Sequence, residues 1–446
     1  MSDRSSLRVL LFFIVVYCPA MVMDLSGQHV VAGCMLVAAA FLSYIFLVGS
    51  SHSFVDLRAL MSLGWLFGAG LGIMKLSRLH GSWTWDTRIS VGGFFACFLI
   101  GSLLPVRKGT KRRRAADTDR MYLAVLIMTG LSLLAFVAEA LILGYIPIFS
   151  KLIHAYNYFH VSGVHYFTVS SIFTHCFTLT YIQEMRKRKQ TIAQNRKYAL
   201  IAANVISLAI NIMCLGKLNI ILSVAFPLFI ILCTLRVKDF RKLDWAKIAL
   251  YAVICLAVFA GVFVAFTKLR HYEPGYLQEI FSFYNADTPV YVQYPYMYVA
   301  NNFANFNLMT QQLPAHTWGL RSIFPVLALT GLKFVFPQYA ELPLYLVKQE
   351  LNTLTLIYDF YYDFGIAGVL VAGILIGWLA SVISSYVRKG GPAAKILFCQ
   401  IAIYFALSFF TTWFSNATTW FWLAITFAYA LFIRGREKAH GAEHEK

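Results

Sequence analysis

Long apolar runs separated by short basic clusters constrain this chain more than any other feature. Runs at 9–24, 29–49, 122–142 and 248–266 are close to the ~20 residues that cross a hydrocarbon core of about 30 Å as helix. Hydrophobic residues make up 59% of the chain and charged residues 13%, against roughly a quarter charged in soluble domains. Ten-residue segments of alternating polarity are absent, which argues against a β-barrel. The fold class that follows is an all-α polytopic membrane protein. About twelve transmembrane helices are expected, at 8–24, 29–49, 57–76, 89–106, 121–143, 164–183, 198–215, 218–236, 247–267, 365–387, 395–413 and 417–434.

The net charge of +18 would suggest nucleic acid in a soluble protein. Here its distribution gives a topological cause instead, and no nucleic-acid partner is expected. Basic residues cluster at Arg107 to Arg114, Arg186 to Lys197, Arg236 to Lys247, Arg388-Lys389 and Arg434 to Lys438. Each cluster falls after an even-numbered or before an odd-numbered run, the positive-inside pattern, which places both termini in the cytoplasm. The first run is read as an uncleaved span, since no small-residue cleavage site follows it. The organisation is then spans one to nine over 1–267, a large external loop over 268–364, spans ten to twelve over 365–434 and a cytoplasmic tail over 435–446.

The bases left on the external side are Lys75, Arg78, Arg88, Lys151, Lys217, Lys268, Arg270, Arg321, Lys333 and Lys348. Topology does not ask for a cation there, so each needs another reason, and a phosphate-bearing ligand is one. The eight cysteines lie inside apolar runs without metal or disulfide spacing and read as small core side chains. No metal or cofactor is expected.

Several external residues carry candidate chemistry. Glu139 lies just below the outer end of span five, where a carboxylate needs a partner such as Lys151 or a watery cavity. Lys217 either snorkels to the interface or offers a compact cation to a diphosphate. Arg270, ahead of His271, suits bidentate phosphate contact, as does Arg321 after Trp318-Gly319. Read as a helix from Tyr296, the next stretch puts Tyr298, Asn302 and Asn305 on one face, with Phe303 and Phe306 on another. That face suits sugar rings, or marks a helix lying in the interface. The run 323–336, broken by Pro325, reads as a short re-entrant or interfacial helix. Asp359 and Asp363, four apart ahead of span ten, share a helix face. They supply either a general base or charge at a helix N-terminus.

Short motifs in these stretches resemble the oligosaccharide repeat-unit polymerases, the Wzy-type O-antigen polymerases. They are Gly144-Tyr145-Ile146-Pro147-Ile148-Phe149, Tyr298 with Asn302-Phe303 and Phe306, the Trp-Gly-x-Arg at 318–321, and Tyr358-Asp359 with Asp363-Phe364-Gly365. Gly216-Lys217 stands where such polymerases often carry an arginine. The resemblance implies a glycosyltransferase that moves a growing glycan from undecaprenyl diphosphate onto a lipid-linked repeat unit at the outer face of the cytoplasmic membrane. In that scheme Arg270, Arg321 and Lys217 would meet the diphosphate. Asp359, Asp363, Glu139 and His271 would be candidate bases, and Tyr298, Asn302 and Asn305 would touch sugar. Membrane lipid and a polysaccharide chain-length regulator would be further partners. Two other classes share the architecture: an O-antigen ligase, whose typical external His-Asn element is missing here, and a lipid-linked oligosaccharide flippase.

Overall fold

The computed structural model describes residues 4–106, 116–151, 155–235, 274–387 and 390–435, together with 261, 265 and 269. The expected span at 247–267 and most of the basic clusters lie outside these residues. So do the candidates Arg270 and His271.

The longer helices are α1 (Arg4–Leu25), α2 (His29–Ser51), α3 (Leu57–Ile73), α4 (Trp85–Ser102), α5 (Thr118–Leu143), α6 (Ile172–Lys187), α7 (Gln194–Met213) and α8 (Lys217–Leu232). They continue with α9 (Pro274–Phe281), α10 (Val290–Gln312), α11 (Leu320–Leu329), α12 (Tyr358–Val387), α13 (Pro392–Ala406) and α14 (Ala417–Phe432). Among the described residues there is no strand, only isolated bridges at Ser77 with Phe283 and Ala116 with Arg434. Arg4–Leu25, His29–Ser51, Thr118–Leu143 and Tyr358–Ser385 are long and apolar enough to cross a membrane, and five shorter apolar helices accompany them. Each expected span within the described residues overlaps a helix, although 164–183 is divided between His165–Val169 and α6 and 395–413 runs past the end of α13 at Ala406.

One group packs α1, α2, α3, α4 and α12 together, and another packs α5, α6, α7 and α8. Helix α13 touches both groups through α3 and α8. Glycines let the first group close tightly: a Cβ at Gly101 or Gly377 would collide with the backbone of the facing helix. This is the small-residue logic of helix pairs in membranes. Trp65 donates its indole N–H to the Val91 carbonyl at 3.0 Å, pinning α3 to α4.

The two ends of the bundle differ in chemistry. At one end Asp117 N–H bonds the Ile433 carbonyl at 2.8 Å, Arg196 pairs with Asp119 at 2.7 Å, and Lys395 reaches Gln183 at 3.1 Å. At the other end two of the bases expected outside find a partner the sequence did not suggest. Asp24 accepts from Lys75 at 3.0 Å and from Arg88 at 2.5 Å, and His29 Nδ1 lies 2.6 Å away. This buried cluster ties the C-terminal ends of α1 and α3 to the start of α4, so Lys75 and Arg88 need no ligand to explain them.

The centre of the large loop departs from expectation. Helix α10 starts earlier than Tyr296 and lies against α3 and α4 rather than in an interface. Phe303 sits between Trp65, at 5.5 Å, and Trp83, at 6.0 Å, and Phe306 is fully buried. Burial of these rings drives the docking. The run 323–336 is not one helix: α11 ends at Leu329, Gly331 turns the chain at φ 78°, and a short helix Leu332–Val335 follows, while Ile323, Val326 and Leu329 are exposed.

Candidate functional site

Five of the described side chains singled out in the sequence gather in two places: Arg321, Asp359 and Asp363 in one, Lys217 and Tyr298 in the other. The first is a pin at the entry to α12. Gly365 takes φ 62° and ψ −153°, a region essentially confined to glycine, and breaks the helix there. Tyr358 to Phe364 therefore form a separate turn that stacks Asp359 and Asp363, as their spacing predicts. The Trp-Gly-x-Arg stretch comes to meet them, with Trp318 at φ 53° and Gly319 at φ 109° turning the chain into α11.

Asp363 then caps α11. Its Oδ1 accepts from Arg321 N–H at 3.0 Å and Thr317 Oγ1 at 2.6 Å, and its Oδ2 accepts from Ser322 N–H at 2.7 Å. These satisfy two of the orphan amides at the start of a helix. Asp359 Oδ1 accepts from Arg321 Nε at 2.9 Å, and its Oδ2 accepts from Ser415 Oγ at 2.5 Å. Arg321 also lies over the Tyr362 ring at 5.1 Å. The two acids are buried and engaged in holding α11 and the 413–415 turn, which gives both a structural task. Next to them an apolar groove of about 590 Å³ runs from Ser322 along α12 past Phe360, Phe364, Val371 and Leu375.

The second place is a pocket of about 520 Å³ at the end of the bundle opposite the Asp117–Ile433 contact. Lys217, the first residue of α8, and Tyr298 of α10 line it, so the structure joins two of the expected ligand contacts. Tyr156, Tyr158, Tyr276 and Tyr294 add aromatic surface, and His165, Asn219, Glu350, Asn352 and Thr353 add polar groups. Lys217 is buried, donates to the Tyr294 hydroxyl, and lies 3.9 Å from that ring and 5.4 Å from the Tyr298 ring. Tyr298 stacks on Phe410 at 5.2 Å, which fixes its plane. Burial pushes the Tyr276 phenol above its usual range, so the hydroxyl keeps its proton at neutral pH.

Asn302 and Asn305 do not line this pocket. Asn305 donates to the Leu351 and Thr353 carbonyls at 2.7 and 3.0 Å and accepts from Val347 N–H at 2.9 Å. Asn302 accepts from the Thr353 hydroxyl. Both amides are fully buried, because the loop at 347–353 has backbone groups that need partners once it is packed on α10. They position the pocket wall rather than touch what enters it.

Glu139, fully buried, also finds partners other than Lys151. It accepts from Val161 N–H at 2.9 Å and from Thr168 Oγ1 at 2.7 Å, and His165 Nδ1 lies 3.0 Å from its Oε1. His165 and Glu350 are among the pocket residues that sequence reasoning missed. Neither sits in a recognisable motif, and their convergence depends on how α5, α8 and α10 pack.

Among the described residues no three His, Cys, Asp or Glu side chains gather as a metal ion would need. Compared with known proteins, the chain matches no family model, no curated protein and no solved structure.

Proposed function

We propose that this chain is an integral-membrane glycosyltransferase of the oligosaccharide repeat-unit polymerase kind. It would transfer a growing glycan from undecaprenyl diphosphate onto a lipid-linked repeat unit. The observation that carries the reading is the pocket that combines a buried cation, Lys217, with a wall of tyrosines and asparagines. Aromatic faces suit the C–H faces of sugars, amides suit their hydroxyls, and a fixed cation suits a departing diphosphate.

The topology belongs to the same proposal. Twelve spans with both termini cytoplasmic put the basic end of the bundle inside and the pocket outside. The groove along α12 offers an isoprenoid chain a path within the bilayer, with Arg321 at its head. Lys217 takes first place among the diphosphate contacts, since it lines the pocket, whereas Arg321 lies outside the lining and is paired with Asp359.

A gel profile of lipid-linked and surface glycans from a deletion strain, with and without complementation, tests this. The expected result is loss of the long ladder while single repeat units are still exported and attached. Long polymer retained on the lipid would mean a ligase, and repeat units held on the cytoplasmic leaflet would mean a flippase.

A further inference from the structure

The wall of the pocket holds one arrangement that the reading above leaves without a task. Glu139 lies near the outer end of α5, just before the left-handed Gly144 cap, and exposes no surface. The Val161 amide and the Thr168 hydroxyl fix its carboxylate at 2.9 and 2.7 Å. The carboxylate in turn fixes His165, whose Nδ1 lies 3.0 Å from Oε1 and 3.2 Å from Oε2. Only an Nδ1–H can donate to a carboxylate, so Nε2 is left as the basic nitrogen of the ring. His165 is also part of the pocket lining, with Lys217 and Asn219. A basic imidazole nitrogen oriented by a buried acid and placed in a substrate-sized cavity is the arrangement that proton abstraction requires.

We infer that His165 is the general base that activates the acceptor sugar hydroxyl, with Glu139 as its positioning residue. The inference rests on the glycosyltransferase reading of the pocket. The hydroxyl gives its proton to His165 Nε2 while its oxygen forms a bond to the donor's anomeric carbon. The bond from that carbon to the diphosphate oxygen breaks, and its electron pair leaves on the diphosphate, facing Lys217. The proton then passes from Nε2 to water, which restores the base.

Among the described residues, the groups near His165 include His160, with ring centroids 5.0 Å apart, Lys333, whose Nζ lies 3.5 Å from Ser162 Oγ, and Lys217, Glu350 and the pocket tyrosines. Burial holds His160 below the ordinary histidine range, so it adds little positive charge near neutral pH. Glu139 is the carboxylate in direct contact with the ring. The assignment displaces Asp359 and Asp363, whose oxygens are taken up by Arg321, Ser415 and the start of α11.

The test uses the full-length protein in detergent or nanodiscs, with lipid-linked repeat units extracted from the deletion strain as both donor and acceptor. His165→Asn keeps a donor toward Glu139 but has no base, and His165→Gln replaces it if that variant does not fold. The expected result is a fall of at least ~10²-fold in kcat, the usual contribution of a general base, with KM and thermal unfolding little changed. Glu139→Gln should move the acid limb of the pH–rate profile to lower pH, which loss of a purely structural partner would not do. Polymerisation by His165→Asn within twofold of the unmodified protein overturns the inference while leaving the glycosyltransferase reading intact. Absence of any polymer from the unmodified protein overturns that reading, and the inference falls with it.

Discussion

Arg321 Nε lies 2.9 Å from Asp359 Oδ1, joining the start of α11 to the start of α12 between residues 38 positions apart in sequence. Both side chains are largely buried, at 16% and 6% exposure. Each is therefore a charge that folding has removed from water, and each depends on the other. The pair also anchors the Ser415 turn through Asp359 Oδ2.

Breaking the pair from one side should be costly. Arg321→Ala or Asp359→Ala strands a buried charge, and about 3 kcal/mol of stability should be lost in either case. The double variant should lose less than the sum of the two, by about 1–3 kcal/mol. Thermal unfolding of the three variants in one detergent measures this. Strict additivity would mean that the two side chains do not support each other.

Asp363 separates a capping role from a catalytic one. Asp363→Ala removes the acceptor for two amides of α11 and should cost about 1–2 kcal/mol. Asp363→Asn keeps one carbonyl oxygen and should retain most of the stability and most of the polymer ladder. A drop of 10²-fold or more in polymerisation by a stably folded Asp363→Asn protein would make the residue catalytic after all.

Lys217 should matter for substrate more than for folding. Lys217→Ala removes the Lys or Arg cation that lines the tyrosine wall of the pocket among the described residues, and kcat/KM for lipid-linked repeat units should fall by about 10²-fold. Lys217→Arg keeps the charge and should restore part of that loss, since guanidinium also pairs with phosphate oxygens. Equal activity of the alanine and arginine variants would remove Lys217 from the diphosphate site.

His80 should give the fold a pH dependence. It is buried in the 74–84 connection, its Nδ1 lies 3.3 Å from the Tyr296 hydroxyl, and burial pushes its imidazole down to about 4. The unfolded chain, with an ordinary histidine near 6.5, takes up the proton first as pH falls. The contribution is therefore complete above about pH 6.5 and is lost progressively as pH falls toward 4, by roughly 3 kcal/mol in all. Melting temperatures of the unmodified protein and His80→Gln, compared between pH 7 and pH 4.5, test it. The substituted protein should show the flatter profile.

The helices and the two motif-bearing stretches at 318–321 and 358–365 were legible in the sequence because they are local. Apolar run length sets where a helix can form, four-residue spacing sets which carboxylates share a face, and Gly365 marks a backbone conformation other residues avoid. Tertiary structure decided what each of these side chains does. The sequence offered Asn302 and Asn305 as candidate sugar contacts or as part of an interfacial helix, but an amide's partners depend on which unpaired backbone packs against it, and here that backbone is the loop at 347–353. It left Glu139 to a partner such as Lys151 or another external base, or to a catalytic role in a watery cavity, whereas the packed bundle brings His165 and Thr168 to the carboxylate. Burial makes hydrogen bonding obligatory and selects partners by distance in space, and a linear pattern of residue types does not contain those distances.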